Sequence, residues 1–564
     1  LMKKRVSKYL VNALCPVCKG KRLKKEALAV TFGGLDIAEM SALTFKELHA
    51  MIAPYVKDKN EAIRRLAEDM AGRLEVLIDL GLSYLTLSRT TPTLSPGELQ
   101  RLRLGTQVRS HLFGVVYVLD EPSAGLHPAD TQALLRAFKR LKDQGNTLFV
   151  VEHEIEIIKE ADWIVDVGPL AGELGGEILY SGKPDGLKKV KNSMTGKHLF
   201  HKAPVAKGRG RIPKGHIQLR GLHRHNVKNL DLDIPTGVFT SVTGVSGSGK
   251  STIVTQLLVG LLQEKFGQEK EIEEKPDPFQ DPEEKLVGKI EIKGDIRRVI
   301  EVDQKPIGRT PRSNLATYTG LFDHVRKIFA KTPQAKKEKM DPGQFSFNLP
   351  KGRCENCEGE GQVMVELLFL PSVYSPCPVC QGKRYNERTL KIKYNGKTIA
   401  DVLGMTVDEA HEFFRDSPEI SRSLRVLTET GLGYLRLGQP ATELSGGEAQ
   451  RIKLATELQK AEHGHTLYVL DEPTTGLHPA DVERLMKELQ ELVDRGNTVV
   501  VIEHDMQIVA QSDWVIDVGP GAGDEGGFIV SQGGPNVVAS SPKGTTPAYL
   551  REYIGHYTSS PEAR

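Results

Sequence analysis

No apolar run in the 564 residues approaches the ~18 that a membrane span requires, so a membrane-embedded role is not expected. The first residues, L-M-K-K-R-V, are basic but have no apolar core behind them. No secretory signal is read there, and a cytoplasmic location is expected. Net charge is scarce too: 76 basic residues against 73 acidic ones leave only +3. Nucleic-acid binding cannot be argued from that total, so any basic surface must be local. Cysteine is limited to six residues, all in C-x-x-C pairs, which in a reducing compartment favour metal over disulfide. What remains is a charged, globular composition long enough for three to four ordinary domains.

The most informative stretch is residues 244–251, G-V-S-G-S-G-K-S, which fits G-x-x-x-x-G-K-[ST]. An apolar run at 238–242 precedes it and reads as a buried strand; the apolar spacing at 252–259 reads as a helix. Strand, glycine-rich loop and helix are the setting of a phosphate-binding loop. Gly244, Gly247 and Gly249, with Ser246 and Ser248, let backbone N–H groups turn toward an anion at a helix N-terminus. Lys250 supplies a charge for the β- and γ-phosphates of ATP, and the Ser251 hydroxyl, with Thr252 beside it, suits Mg²⁺.

Much of the chain occurs twice. L-S-P-G-E-L-Q-R at 94–101 returns as L-S-G-G-E-A-Q-R at 444–451, and V-L-D-E-P-S-A-G-L-H at 118–127 as V-L-D-E-P-T-T-G-L-H at 469–478. V-E-H at 151–153 returns as I-E-H at 502–504, and D-W-I-V-D-V-G-P at 162–169 as D-W-V-I-D-V-G-P at 513–520. The offset is 350 residues for the first pair and 351 for the others. The expected fold is therefore α/β: two tandem modules, the first incomplete, with inserted helical regions and a zinc-binding module. A phosphate loop for the first module would fall before residue 1, so the chain is expected to begin inside a module.

The expected boundaries are 1–90, the rest of a zinc module and a helical insertion; 91–200, the end of the first module; 201–215, a basic linker; 216–330, the ATP-binding region of the second module; 331–440, a zinc-binding and helical insertion contacting DNA; 441–545, the end of the second module; and 546–564, a C-terminal tail that frays apart from one short helix. Residues 36–80 read as helical, with Ile63, Leu66, Met70, Leu74, Leu77 and Ile78 on the apolar face. Residues 112–119 read as a buried parallel strand, and 264–286 as an exposed excursion.

Asp471 and Glu472 end an apolar strand. Asp471 suits the Mg²⁺ shell and Glu472 an attacking water. His504 follows the next strand and can reach the γ-phosphate; Gln304, after another, can sense Mg²⁺ and the water. C354-x-x-C357 and C377-x-x-C380, nineteen residues apart, suit tetrahedral Zn²⁺, with Cys354, Cys357, Cys377 and Cys380 as ligands. Such a site is worth about 10–16 kcal/mol in small modules. Cys15 and Cys18 supply only two ligands, so a partial site is expected there.

Residues 309–353 carry ten Lys or Arg and three acids, with Phe345 and Phe347 among them and Tyr374 beyond, the mix of charges and aromatics that a phosphate-tracking surface needs. Arg309, Arg312, Lys336, Lys337 and Lys339 are candidate phosphate contacts on DNA, with a solvated charged face as the alternative.

Taken together, the signature motifs, the two D-E-P-[ST]-x-G-L-H segments and the split cysteine pairs make the chain resemble the ABC-class ATPases, and among them the UvrA family of bacterial nucleotide excision repair. L-S-P-G-E and P-S-A-G-L-H-P-A-D look like its shorter paralogue class, which is associated with tolerance of DNA-binding drugs. The resemblance implies sites formed between opposed modules: Ser95 and Gly97 would face Lys250, Asp471, Glu472 and His504. Ser445, Gly446 and Gly447 would face the first module's phosphate loop. Pro96 replaces the usual glycine and has no N–H to donate. Losing one charge-assisted donor costs about 1.5–3 kcal/mol, so this site is expected to be the slower. Implied partners are damaged double-stranded DNA, a possible second copy and, less surely for want of the usual partner-binding region, other excision-repair subunits; implied cofactors are ATP, Mg²⁺ and Zn²⁺. Incision would belong to partners. Weighed against an ATP-driven damage sensor are a self-resistance ATPase that removes DNA-bound drugs, a catalytically weak DNA-binding remnant and, against the zinc module, a transporter subunit.

Overall fold

The computed structural model describes residues 15–94, 96–108, 112–170, 172–200, 208–267, 287–308, 310–367, 370–460 and 465–558. Its centre is a six-stranded sheet in the second half. The order is Arg298–Val302, Thr466–Asp471, Thr498–Ile502, Phe239–Thr243, Trp514–Gly519 and Phe528–Gly533. The first five strands are parallel and the last is antiparallel. Continuous apolar strands such as T-V-V-V-I at 498–502 demand cover on both faces. The helix Pro479–Asp494 packs on one face, and the helical stretch that starts at Thr252 packs on the other. An antiparallel sheet of Val287–Lys293, Gly215–Arg224 and Val227–Thr236 closes the second core.

The first half repeats this plan with a gap. Val116–Asp120 pairs in parallel with Thr147–Val151, and Ile164–Gly168 pairs antiparallel with Glu177–Gly182, as two separate sheets. In the second half the equivalent strands flank Phe239–Thr243; among the described residues nothing fills that place in the first half. The consequence is direct: Val118, Phe149 and Val167 are 72%, 59% and 61% exposed, whereas Val469, Val500 and Val518 are 1%, 0% and 1%. The expected buried strand at 112–119 is thus shorter, Val116–Asp120, and one of its faces meets solvent.

Residues 36–80 are not one helix. They form Ile37–Ala42, Phe45–Ile52, a 3₁₀ turn and Glu61–Asp79, with Asp36 and Thr44 capping the first two. Ile63, Leu66 and Met70 face solvent, and the small Ala67 and Ala71 take the buried stripe with Leu74. Apolar spacing favours the larger side chains, whereas the close approach of the neighbouring helix selects alanine.

The basic stretch expected as a linker is docked where it is described. Arg211 donates to Asp513, Asp494 and Gln490, and Arg209 pairs with Asp494. Residues 201–207 of that stretch, and the expected excursion beyond 267, lie outside the described residues. The tail expected to fray apart from one short helix is instead docked along the helix Thr546–Thr558: Leu550 is fully buried against Met506, Val509 and Val538. The helices Leu321–Lys331, Ile399–Gly404, Val407–Phe413 and Pro418–Glu429 share a single core with Phe345, Phe347, Tyr385 and the signature helix Gly446–Lys460.

Candidate functional site

The phosphate loop leaves the central strand Phe239–Thr243, whose five residues are all buried, and runs into helix from Thr252. Gly244 is obligatory: its φ is +139°, and a Cβ there would lie 2.0 Å from the Val518 carbonyl oxygen of the neighbouring strand. Lys250 is buried, and its Nζ donates to the carbonyls of Gly244 (3.0 Å) and Val245 (2.9 Å). Burial depresses its pKa, and the charge of Glu472 works in the opposite direction. Ser248 is buried with its hydroxyl unpartnered, and Ser251 is exposed at the helix start.

Asp471 and Glu472 stand at the carboxyl end of Thr466–Asp471, in register with Ile502 and beside the loop, the usual place for ligands on a parallel sheet. Burial, with the Glu472 charge adding to it, raises Asp471 to about 7; burial also raises Glu472, against the pull of Lys250. Glu472 holds a left-handed backbone, φ +45°, as does its counterpart Glu121 at +44°. Such strain in a non-glycine residue persists where its surroundings enforce it, typically at functional sites. His504 Nε2 lies 3.5 Å from Glu472 Oε1. Burial holds His504 well below the usual histidine range, so the imidazole is neutral. Gln304 Nε2 donates to the Glu472 carbonyl at 3.1 Å. The four residues read from the sequence, Lys250, Asp471, Glu472 and His504, are thus together, with Gln304 on the backbone of Glu472.

The first half covers this site. Gly125 rests on the Glu472 carboxylate. Asp130 Oδ2 accepts the Ser246 N–H at 3.1 Å, and Asp130 Oδ1 lies 3.6 Å from Arg101 Nη1. The Tyr84 ring lies against Gly247 and Gly523, and its hydroxyl donates to Glu98 of the signature segment at 2.5 Å. Gly97 sits against the Ala124 carbonyl; Ser95 lies outside the described residues. These contacts are reciprocal about a pseudo-twofold axis. Gly476 rests on Glu121, and Tyr434 meets Gly172 and donates to Glu448 at 2.6 Å. His153 and His478 pair as His504 and His127 do. Tyr84, Asp130 and Arg101 were not singled out from the sequence. Their recurrence as Tyr434, Asp481 and Arg451 was the available signal.

The second signature, Ser445, Gly446 and Gly447, opens its helix with Ser445 and Glu448 capping each other's backbone. No phosphate loop faces it among the described residues. A cavity of about 770 Å³ lies beside it, lined by Tyr434, Glu448, Arg384 and Arg436.

Cys354, Cys357, Cys377 and Cys380 are all buried, with their sulfurs within 4.8 Å of one another. Cys357 and Cys380 Sγ are 3.6 Å apart, close to the roughly 3.8 Å edge of a tetrahedron with 2.3 Å Zn–S bonds. The donor set and its size fit Zn²⁺. Asn356 Nδ2 and the Gly361 N–H donate to Cys377 and Cys357 sulfurs, an outer shell that suits thiolates. Among the described residues no third ligand joins Cys15 and Cys18, which lie at the surface.

The basic segment divides. Lys336, Lys337 and Lys339 are exposed, and none takes part in an ion pair among the described residues. Arg312 is engaged by Glu358 and Glu360, both at 3.3 Å, and Arg309 lies outside the described residues. Phe345 and Phe347 do not face outward with these charges as expected: they are 0% and 1% exposed, packed on Phe329 and Phe322. Of the three aromatics only Tyr374, on the hairpin beyond the cysteines, is exposed.

No protein-family model matches the chain. It is 49% identical over 560 residues to UvrABC system protein A of Aquifex aeolicus, covering 98% of this chain and 59% of that protein. It is 52% identical over 546 residues to the Thermus thermophilus protein of the same name, covering 95% and 56%. The crystal structure of UvrA2 from Deinococcus radiodurans superposes with a TM-score of 0.89 at 59% identity, covering 98% of this chain and 67% of that one. The chain thus spans less than two thirds of the length of these curated relatives.

Proposed function

The chain belongs to the UvrA family, and on that premise we propose that it couples ATP hydrolysis to the binding of damaged, distorted duplex DNA as part of nucleotide excision repair. The observation that carries this reading is the closure of the phosphate loop of one half by Asp130 and Tyr84 of the other, with Gly125 on Glu472.

In this reading Lys250 leaves the Gly244 and Val245 carbonyls for the β- and γ-phosphates, and the inward N–H groups of the loop hold the remaining oxygens. Ser251 and Asp471 would hold Mg²⁺, which supplies positive charge to the phosphate oxygens. Glu472 accepts a proton from the attacking water. Its raised pKa brings it toward the operating pH, where a general base is most effective. Neutral His504 orients that carboxylate from 3.5 Å, and Gln304 holds its backbone. Lys336, Lys337 and Lys339 supply phosphate contacts next to a zinc module that stiffens the DNA-facing hairpin.

ATP turnover, measured with and without damaged duplex, tests the proposal. Wild type should turn over faster with damaged duplex; Glu472→Gln should lose most hydrolysis yet keep ATP binding. Glu121→Gln should change little, because no phosphate loop faces Glu121 among the described residues. Equal losses would sink the assignment of the site. A second reading, removal of DNA-bound drugs, rests on the resemblance of L-S-P-G-E at 94–98 and P-S-A-G-L-H at 122–127 to the shorter paralogue class. Stimulation by intercalator-bound rather than covalently damaged duplex would select it.

A further inference from the structure

His127 is fully buried and caps the helix Pro128–Asp143. Its Nδ1 accepts the Ala129 N–H at 3.2 Å, so the neutral ring carries its proton on Nε2. Nε2 donates across the interface to Thr546 Oγ1 at 3.2 Å, and the Thr546 hydroxyl donates to Asp517 Oδ1 at 2.7 Å. Thr546 and Asp517 are 0% and 1% exposed. Asp517 pairs in register with Thr243, and the carbonyl of the next residue, Val518, is the one pressed on Gly244. This relay begins where the loop carrying Gly125 meets the helix carrying Asp130, the two residues that cover Glu472 and Ser246. It ends on the backbone that supports the phosphate loop.

The same set recurs in the other half, with the roles of the two halves exchanged. His478 Nδ1 accepts from Ala480 at 3.2 Å, its Nε2 lies 3.4 Å from Thr195 Oγ1, and Thr195 donates to Asp166 at 2.9 Å. Asp166 lies on Ile164–Gly168, which has no phosphate loop beside it among the described residues. The protein therefore carries its own control.

We propose that His127 and Thr546 are positioning residues for the nucleotide site: through Asp517 the first half sets how the strand Trp514–Gly519 supports the phosphate loop of the second. The proposal rests on the reading of residues 244–251 as a nucleotide site. It makes the loop's anion-binding geometry depend on the engagement of the two halves.

Thr546→Val removes both hydrogen bonds at nearly constant volume, and Thr546→Ser keeps them. Binding of a non-hydrolysable ATP analogue to the full chain should weaken about tenfold in Thr546→Val, the scale of one buried hydrogen bond, and stay near wild type in Thr546→Ser. Thr195→Val should lower Tm as much as Thr546→Val does but leave analogue affinity within about twofold. His127→Gln, which loses the helix cap but keeps a donor toward Thr546, should lower Tm and retain affinity. Equal affinities in Thr195→Val and Thr546→Val would reduce the relay to packing and overturn the proposal. A wild type that binds the analogue but does not hydrolyse ATP would sink the proposed function and leave this test standing. A wild type that binds no nucleotide would overturn both.

Discussion

Gly125→Ala places a methyl group against the glutamate of the other half. A Cβ at Gly125 would lie 2.3 Å from Glu472 Oε2 and 3.0 Å from its Cδ. Ordinary contacts begin near roughly 3.5 Å, so the carboxylate must retreat by about 1 Å. Displacing a reacting group by that much costs about 100-fold in turnover. Gly125 also has φ +68°, where alanine adds about 1–2 kcal/mol of backbone cost. Gly476→Ala is the matched perturbation: φ is +70°, and its Cβ would lie 2.7 Å from Glu121 Oε2. The two variants should therefore lose similar stability in urea unfolding. Steady-state phosphate release should fall about 100-fold in Gly125→Ala and stay close to wild type in Gly476→Ala. Equal loss of turnover in both, or none in Gly125→Ala, would refute the argument that this glycine sets the position of Glu472.

Purified protein should hold about one tightly bound Zn²⁺, the number of complete four-cysteine sites. Stripping it with a strong chelator should expose 354–380 to proteolysis while ATP-analogue binding persists; two tight ions per chain would mean that Cys15 and Cys18 complete a site. Replacing Lys336, Lys337 and Lys339 by alanine should reduce the slope of log K against log salt by about 0.9 for each DNA phosphate no longer neutralised. The comparison is Lys183, Lys189 and Lys191, exposed in the first half; an equal effect there would place the DNA path elsewhere.

What could be read in advance followed from how local the chemistry is. The phosphate loop, the carboxylates after an apolar strand and the C-x-x-C pairs are legible because spacing alone sets which atoms can converge. The repeat made the paired architecture legible too. Contacts between the halves were not, because no local pattern marks Tyr84 as a neighbour of Gly247 or Thr546 as a partner of His127. Burial misled twice in opposite directions. Phe345 and Phe347 stand among lysines yet fill the core of the helical insertion on Phe329 and Phe322, while Lys336, Lys337 and Lys339 stay at the surface. Val118 and Phe149 have the composition of an interior strand yet meet solvent, since burial depends on what lies alongside. Arg209 and Arg211 look like linker charges, but Asp494 and Asp513 bind them down.

The gap between Thr147–Val151 and Ile164–Gly168 also governs how the molecule behaves in bulk. Each of these strands pairs on one side only among the described residues, and Val118, Phe149, Val151, Trp163, Val165 and Val167 on or beside them are all exposed. Unsatisfied strand edges next to exposed valines template sheet growth by other chains, and native edges are normally blunted by charge, proline or a bulge. On the described residues, association is expected to start in the first half, while the site chemistry sits in the second. Concentration, salt and a lysine introduced at Val118 or Val167 become the levers for keeping it monodisperse.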